Sequence, residues 1–354
     1  KNITHIDFDN VVKRLLSLGF ILSQSEYLLR ITNEFIDQRG ITKMSNIRTQ
    51  IKGLGKISQY CKNDSLTDNE GNIIATFEQK SLYKEKDKPI YPINFDDFNF
   101  RVALNVERDY YENSGIIKSV VDKWNDTKKI FRYINRTTLT SPEYPFKIDL
   151  SITKMSKKQG KYPKPEYKFS ESGVLESQQL YEIEIEVDYK KIRKENVKNL
   201  LGDLKKVIKI ILSGLQNTNY PVSYPERDNI LHEYMKILWG ESHKETSRIY
   251  PKNFIGPSSY TLQSVNVAEL NENSLGPNIR KDYTVTDKAD GERKLLFINE
   301  KGKIYLIDTN MHFQFTGSIT KHNKYFNSIL DGEHVLTDKS GNFINLYLAF
   351  DVYM

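Results

Sequence analysis

Cysteine is almost absent from this chain of 354 residues, in which Cys61 is the only one. A single thiol excludes an internal disulfide and a cysteine-rich zinc site, and it fits a reducing compartment. No apolar run approaches the roughly 20 residues of a membrane-spanning helix. A large charge of one sign is also missing, because 28% of the residues are charged but the net charge is only +6. This small excess permits an anionic partner without indicating a surface that coats nucleic acid.

A Lys-x-Asp-Gly-x-Arg segment at 288–293 lies between two runs that are typical of strands. Its lysine, Lys288, stands beside an Asp-Gly turn, and a lysine amine held rigidly there could attack the α-phosphorus of a nucleotide. Gly291 would let the backbone come close to that nucleotide. The alternative is a charged hairpin turn, since Lys-x-Asp-Gly occurs by chance in roughly one chain of this length in ten.

Two acidic segments follow the lysine motif. The first is Asp331-Gly332-Glu333, and the second is Asp351 inside the apolar run 347–353. Each alone is typical of an ordinary turn or of an acid at a strand end. The three segments in this order resemble the covalent nucleotidyltransferases, which include the mRNA capping guanylyltransferases and the ATP-dependent DNA and RNA ligases.

The resemblance covers about residues 250–354 and implies a role for each matching side chain. Lys288 would become linked to the nucleotide, with Asp290 in the same nucleotide site. Arg293 and Glu333 would hold the ribose, and Asp351 would help to place metal and base. The family's later strand motifs and its OB-fold domain would follow Asp351, so we expect only the N-terminal part of this domain within residues 241–354.

Strict alternation marks a second group of residues, in the strand-like segment 181–187. With a period of two, Glu182, Glu184 and Glu186 share one face of the strand, and apolar side chains occupy the other. Three stacked glutamates repel one another, and glutamate forms strands poorly. Either solvent and nearby lysines neutralise them, or they hold a cation.

Three other segments have the complementary pattern of one apolar face and one charged face. The charged faces carry Arg132 with Arg136, then Lys147 with Asp149, and Arg101 with Glu107 in a strand predicted over 99–107. A sheet closed into a barrel, with its apolar faces outward against helices, would line a tunnel with these charges. Carboxylates there could bind Mg²⁺ or Mn²⁺, and the cations could neutralise a polyphosphate.

This pattern resembles the triphosphate tunnel metalloenzymes, specifically the metal-dependent RNA 5′-triphosphatases. The resemblance covers about residues 1–220, and Ile134 departs from it where the family has a lysine. It implies metal ligation by Glu182, Glu184, Glu186 and Asp149, with Glu184 or Glu186 as the catalytic group. It implies phosphate contacts from Arg101, Arg132, Arg136, Lys147 and Lys154.

The order of the two domains favours mRNA capping, because ligases have no use for a triphosphatase. We expect an α+β protein with an antiparallel barrel and flanking helices in residues 1–240, followed by a partial nucleotidyltransferase in residues 241–354. Helices are predicted at 8–20, 116–124, 191–217 and 226–239. The whole resembles the capping enzymes of large cytoplasmic DNA viruses, of the asfarvirus type, and of cytoplasmic linear plasmids of yeasts.

The resemblance implies GTP and RNA with a 5′-triphosphate as substrates, Mg²⁺ or Mn²⁺ as cofactor, and no membrane. It implies the host cytoplasm or a virion as location, and a viral-type RNA polymerase or a methyltransferase as partner. Two alternatives stay open: an ATP-dependent ligase, and a non-catalytic platform that binds RNA or polymerase. The family's first Glu-x-Glu strand does not precede the helix at 8–20, so we expect residues 1–354 alone to be impaired in both reactions.

Overall fold

In a computed structural model, the chain forms two compact units, Lys1–Asn217 and Thr218–Met354. The structure describes residues 3–192, 198–244, 248–258, 260–271, 276–281, 283 and 288–354. The division precedes the helix at 224–239, whereas the sequence predicted a boundary after residue 240. The helix belongs to the second unit because Ile230, Tyr234 and Met235 pack into the core of that unit.

The first unit contains four helices and fourteen strands in its described residues. The helices are α1 (His5–Ser17), α2 (Leu54–Asn63), α3 (Gly115–Asp122) and α4 (Leu200–Leu215). The strands are β1 (Ile21–Ile36), β2 (Thr42–Met44), β3 (Ile47–Lys52), β4 (Ala75–Leu82), β5 (Lys84–Glu85), β6 (Lys88–Pro89), β7 (Ile93–Phe95), β8 (Phe100–Val102), β9 (Asn105–Tyr110), β10 (Lys129–Thr140), β11 (Phe146–Met155), β12 (Lys158–Gln159), β13 (Tyr162–Pro163) and β14 (Leu180–Val187).

Eight of these strands form one antiparallel sheet, here called the large sheet. Its order is β14-β11-β10-β1-β3-β4-β9, and β2 pairs with the far end of β1. The sheet curls, so that the charge of Glu107 on β9 reaches Glu186 on β14 at the other end of the strand order. Within the described residues no backbone ladder joins β14 to β9. The structure therefore shows an open, curled sheet, and the predicted closed barrel is not confirmed.

Helices cover one face of the large sheet, as the alternating patterns predicted. Val11 of α1 and Val207 of α4 pack with Ile148 and Leu150 of β11. At the other end of the sheet, α2 and α3 contribute to a second apolar cluster with β1, β3 and β4. Burial of these apolar side chains stabilises the unit at about 25 cal/mol per Å². The opposite face carries the charged side chains.

Three local predictions for the first unit need correction. The predicted strand 99–107 is two strands, because β8 pairs with β7 in a separate hairpin and only β9 joins the large sheet. Helix α2 lies where mostly strands were predicted, since it is only ten residues long, includes a glycine and follows Gly53, which provides no side-chain cap. Helix α4 begins at Leu200 rather than 191, and residues 193–197 lie outside the described part of the chain.

The second unit contains helices α5 (Tyr224–Trp239) and α6 (Ser264–Val267) among its described residues. Its strands are β15 (Glu292–Ile298), β16 (Lys303–Asp308), β17 (Phe313–Ile319), β18 (Ser328–Thr337) and β19 (Phe343–Val352), in the antiparallel order β17-β16-β15-β18-β19. Helix α5 begins with Ser223 as its cap, confirming the predicted helix at 226–239 to within two residues. None of the helices described in either unit is long and apolar enough to span a membrane.

Candidate functional site

The register of the large sheet brings charged residues from seven strands onto one face. Residues directly opposite each other point to the same side of a sheet. Glu184 lies opposite Asp149, Asp149 opposite Thr138, and Arg30 opposite Arg132. We call this side the polar face. Its charged members are Glu26, Arg30, Arg48, Lys52, Glu78, Lys80, Glu107, Asp109, Arg132, Arg136, Lys147, Asp149, Glu182, Glu184 and Glu186.

Three carboxylates of the polar face converge closely enough to hold a metal ion. Ligand oxygens of Asp149, Glu184 and Glu186 all lie within 4.8 Å of one another. Burial raises the pKa of Glu186, and the nearby charges of Asp149 and Glu184 raise it further. Hard cations such as Mg²⁺ and Mn²⁺ prefer oxygen ligands, and a cation would relieve this repulsion. The donor set therefore fits a divalent cation.

Two arginines on β10 form ion pairs with acids of the polar face. Arg136 contacts both Asp149 at 3.1 Å and Glu184 at 3.2 Å. Arg132 forms an ion pair with Glu182. Glu182 is not among the converging carboxylates, although the sequence grouped it with the metal ligands. Between the arginines, Ile134 lies opposite Leu28 of β1, which supplies an apolar neighbour at the position where the family has a lysine.

Arg30 lies in a cluster of arginines that the sequence did not reveal. Burial lowers its pKa to about 10, and the positive charges of Arg48, Arg132 and Arg136 contribute. Among the described residues no carboxylate lies within ion-pair distance of Arg30, and its buried Nε has no hydrogen-bond partner. Arg48, Arg132 and Arg136 each contact a carboxylate, so Arg30 is the member of this cluster whose charge is left for an anion to neutralise. The signal was hidden because Arg30 stands between apolar Leu29 and Ile31.

The remaining residues predicted for the first unit lie at three different locations. Lys147 lies on the polar face, opposite Glu186. Lys154 lies on the other face, where its ammonium donates to the carbonyl of Leu175, and alternation from Lys147 already places it there. Arg101 is exposed on β8, away from the large sheet. The structure therefore places neither Lys154 nor Arg101 beside the carboxylates.

In the second unit, Lys288 and Asp290 are exposed immediately before β15. Residues 284–287, which include most of the strand predicted before the motif, lie outside the described residues. The structure explains why the motif has a glycine, Gly291. A Cβ on Gly291 would lie 2.6 Å from the carbonyl oxygen of His334 on β18, so only glycine permits this approach of backbone to backbone. The contact fixes the end of the lysine segment against β18.

Arg293, the last residue of the motif, is bound mainly by a residue that the sequence did not single out. Its Nε donates to Asp331 Oδ1 at 3.1 Å and its Nη2 to Asp331 Oδ2 at 2.5 Å. Asp331 is fully buried on β18 and also accepts a hydrogen bond from Tyr353 at 2.7 Å. The bond to Asp331 raises the pKa of Arg293.

The other two acids lie on the same sheet. Glu333 is directly opposite Arg293 on β18, and its side chain contacts the position where a Cβ on Gly291 would be. Asp351 is exposed on β19, opposite Asp331. Strand pairing thus brings Arg293, Glu333 and Asp351 to one region, next to the segment that carries Lys288. The segment 331–333 is the middle of a strand rather than a turn.

Sequence comparison relates parts of this chain to known proteins. Residues 229–354 match the family model of the mRNA capping enzyme catalytic domain. The chain is 33% identical over 172 residues to a probable mRNA-capping enzyme of Acanthamoeba polyphaga mimivirus, an alignment of 49% of this chain and 12% of that protein. It is 24% identical over 240 residues to the CRISPR-associated endoribonuclease Cas13a of Leptotrichia shahii, covering 64% of this chain and 16% of that protein.

These relatives are named for different reactions, and the family model agrees with the first. The chain spans only 12% and 16% of their lengths. All the residues predicted for nucleotide binding, from Lys288 to Asp351, fall inside the matched range. The second unit is therefore similar to the catalytic domain of mRNA capping enzymes, and this similarity supports a capping function.

Proposed function

We propose that the second unit transfers GMP from GTP through a covalent bond to Lys288. The observation that carries the proposal is the capping-enzyme match over residues 229–354, with Lys288 exposed beside the Arg293, Glu333 and Asp351 region. Nζ of Lys288, once deprotonated, attacks the α-phosphorus of GTP. A P–N bond forms, the bond to the bridging oxygen breaks, and pyrophosphate leaves. RNA with a 5′-diphosphate end then accepts the GMP.

The residues around Lys288 would position the nucleotide. Glu333 and Arg293 would hold the ribose, with Asp290 and Asp351 completing the site. Gly291, packed against β18, limits the freedom of the segment that carries the nucleophile. Such orientation accounts for a large part of the rate in phosphoryl-transfer reactions.

We further propose that the polar face removes the γ-phosphate of RNA before GMP transfer. Support comes from the three converging carboxylates and from Arg30, which has other arginines nearby and, among the described residues, no carboxylate within ion-pair distance. A divalent cation held by Asp149, Glu184 and Glu186 would supply neutralisation of the triphosphate charge. Arg30, Arg132, Arg136 and Lys147 would bind phosphate oxygens, and Glu184 or Glu186 would orient and deprotonate the attacking water. The products are RNA with a 5′-diphosphate end and inorganic phosphate.

On this proposal the partners are RNA with a 5′-triphosphate end and GTP, and the location is the host cytoplasm. A polymerase or methyltransferase partner is part of the same proposal. The test incubates the full-length protein with α-labelled GTP or ATP and a divalent cation. An acid-stable GMP adduct is the expected result. Labelling by ATP alone would favour a ligase, and no adduct with either nucleotide would favour a non-catalytic platform.

A further inference from the structure

The guanidinium of Arg293 is held on three sides in the second unit. Asp331 accepts from its Nε and Nη2, as a two-point bond. The carbonyl of Pro257 accepts from its Nη1 at 2.6 Å. The ring of Phe254 lies 5.5 Å from the guanidinium carbon. Arginine has five N–H groups, so these bonds use three and leave two for a ligand.

Asp331 is the centre of this arrangement. The residue has 0% exposure, and its Oδ2 also accepts from the hydroxyl of Tyr353. Burial together with this hydrogen bond raises the pKa of Tyr353 to about 12, so the hydroxyl remains a donor near neutral pH. A buried carboxylate with a two-point arginine partner fixes the plane of the guanidinium as well as its position.

The segment 254–257 closes over this cluster without space for a side chain at Gly256. A Cβ there would lie 2.6 Å from Arg293 Nη2 and 2.9 Å from Asp331 Oδ2, and its φ of +117° favours glycine. The segment is itself anchored, since the hydroxyl of Tyr234 accepts from Ile255 N at 2.9 Å. Arg293 is therefore clamped between β18 and segment 254–257.

We propose that Asp331 is a positioning residue for nucleotide binding, acting through Arg293. The inference rests on the proposed GMP transfer, because Arg293 lies at the start of β15, five residues after Lys288. Asp331 fixes one edge of the guanidinium, and the two remaining N–H groups are then presented to ribose oxygens in one orientation. A side chain that served only to stabilise the fold would affect stability and leave sugar recognition unchanged.

The experiment compares full-length wild-type protein with Asp331→Asn, Arg293→Lys, the double variant and Tyr353→Phe. Equilibrium binding of GTP, 2′-deoxy-GTP and 3′-deoxy-GTP is measured for each, alongside GMP-adduct formation and thermal unfolding. Asp338→Asn is the matched control, because Asp338 is an exposed acid in the β18–β19 turn that bonds only within its own turn.

We expect Asp331→Asn to weaken GTP binding by about 10- to 100-fold and to remove discrimination against the deoxy-nucleotides. The double variant should bind GTP no more weakly than Arg293→Lys, because the two substitutions disrupt the same interaction between Asp331 and Arg293. Tyr353→Phe, which keeps the carboxylate, should weaken binding by about two- to fivefold. A lower unfolding temperature with unchanged affinity and sugar discrimination in Asp331→Asn and Tyr353→Phe would overturn the inference.

Failure of the proposed function gives a different result. Wild-type protein that binds GTP with sugar discrimination but forms no adduct would refute GMP transfer, while the affinities of the variants would still decide the role of Asp331. Wild-type protein that binds no GTP would overturn both.

Discussion

The charged side chains are arranged differently on the polar face of the first unit and in the Arg293 region of the second. On the polar face, Glu186 has other carboxylates nearby, and the half-buried Arg30 has other arginines nearby and, in the described part of the chain, no acid within ion-pair distance. In the second unit, Arg293 and the buried Asp331 satisfy each other. Like charges held together lower stability, so they indicate a ligand of opposite charge, whereas a matched buried pair fixes geometry.

This difference separates two kinds of functional residue. On the polar face, the side chains proposed to contact ligands are those with like charges nearby, which would favour a cation beside the carboxylates and an anion beside Arg30. In the second unit the proposed nucleophile, Lys288, is exposed. The neighbouring residues are held in place by Gly291, Asp331 and the segment 254–257. We expect substitutions on the polar face to impair binding with little loss of stability, and substitutions in the second unit to couple stability with activity.

The largest expected effect is at Lys288. Lys288→Ala and Lys288→Arg should each abolish the GMP adduct, since neither presents a nucleophilic amine at the same place. Phosphate release from triphosphate-ended RNA should be unchanged, because the polar face belongs to the other unit. Gel analysis of protein labelled with α-³²P GTP is the measurement. The matched control is Lys281→Ala, an exposed lysine before the motif. A labelled band that persists in Lys288→Ala would refute the site.

The second effect tests the carboxylates of the polar face. Glu184→Gln and Glu186→Gln should each lower γ-phosphate release by about 100-fold or more, because each removes a charged ligand from the proposed metal site. GMP-adduct formation should remain nearly unchanged. Release of labelled γ-phosphate is the measurement, and Glu176→Gln, an exposed acid paired with Lys157, is the control. Loss of both activities in a folded variant would indicate one coupled site instead of two.

Periodicity explains why the sequence revealed one part of the polar face and missed another. The alternation in β14 and β11 was strict, so the faces of Glu184 and Asp149 were predicted correctly. Arg30 gave no such signal, since only the pairing of β1 with β10 and β3 brings it near Arg132 and Arg48. Lys154 was named only because the resemblance implied a phosphate contact, whereas alternation from Lys147 puts it on the other face.

In the second unit the sequence predicted the residues of the nucleotide-binding motifs but not the residues that hold them in place. Lys288 and Glu333 could be recognised from short motifs, and the helix at 226–239 from its pattern. Asp331 was given no role of its own, although it is a buried strand residue that binds Arg293 across β15 and β18. Gly256 has no local signal at all, since its requirement comes from Arg293, 37 residues later, and from other distant residues.

The third prediction tests whether Arg30 binds a ligand or serves only to stabilise the fold. Arg30→Met should lower hydrolysis of triphosphate-ended RNA by about tenfold, because one phosphate contact is lost. The same change should raise the free energy of unfolding by about 1 kcal/mol, since a buried cation beside Arg48 and Arg132 is removed. Steady-state hydrolysis and urea denaturation measure the two. Arg39→Met, in an exposed turn, should change neither. Destabilisation with full activity would mean that Arg30 supports the fold alone.

The last prediction concerns stability alone, at two glycines, and tests the tight packing of the second unit directly. A Cβ on Gly332 would lie 2.5 Å from the carbonyl oxygen of Leu348 and 2.6 Å from the ring of Tyr347, so Gly332→Ala should destabilise the unit by about 1–3 kcal/mol. Gly55 in α2 of the first unit has no atom within 4 Å of that position. Gly55→Ala should therefore stabilise its unit by about 0.5–1 kcal/mol, because alanine loses less backbone entropy in a helix. Urea denaturation of each variant gives the comparison. Equal effects of the same sign at both glycines would show that the close approach of β18 to β19 does not control stability beside Asp331 and Glu333.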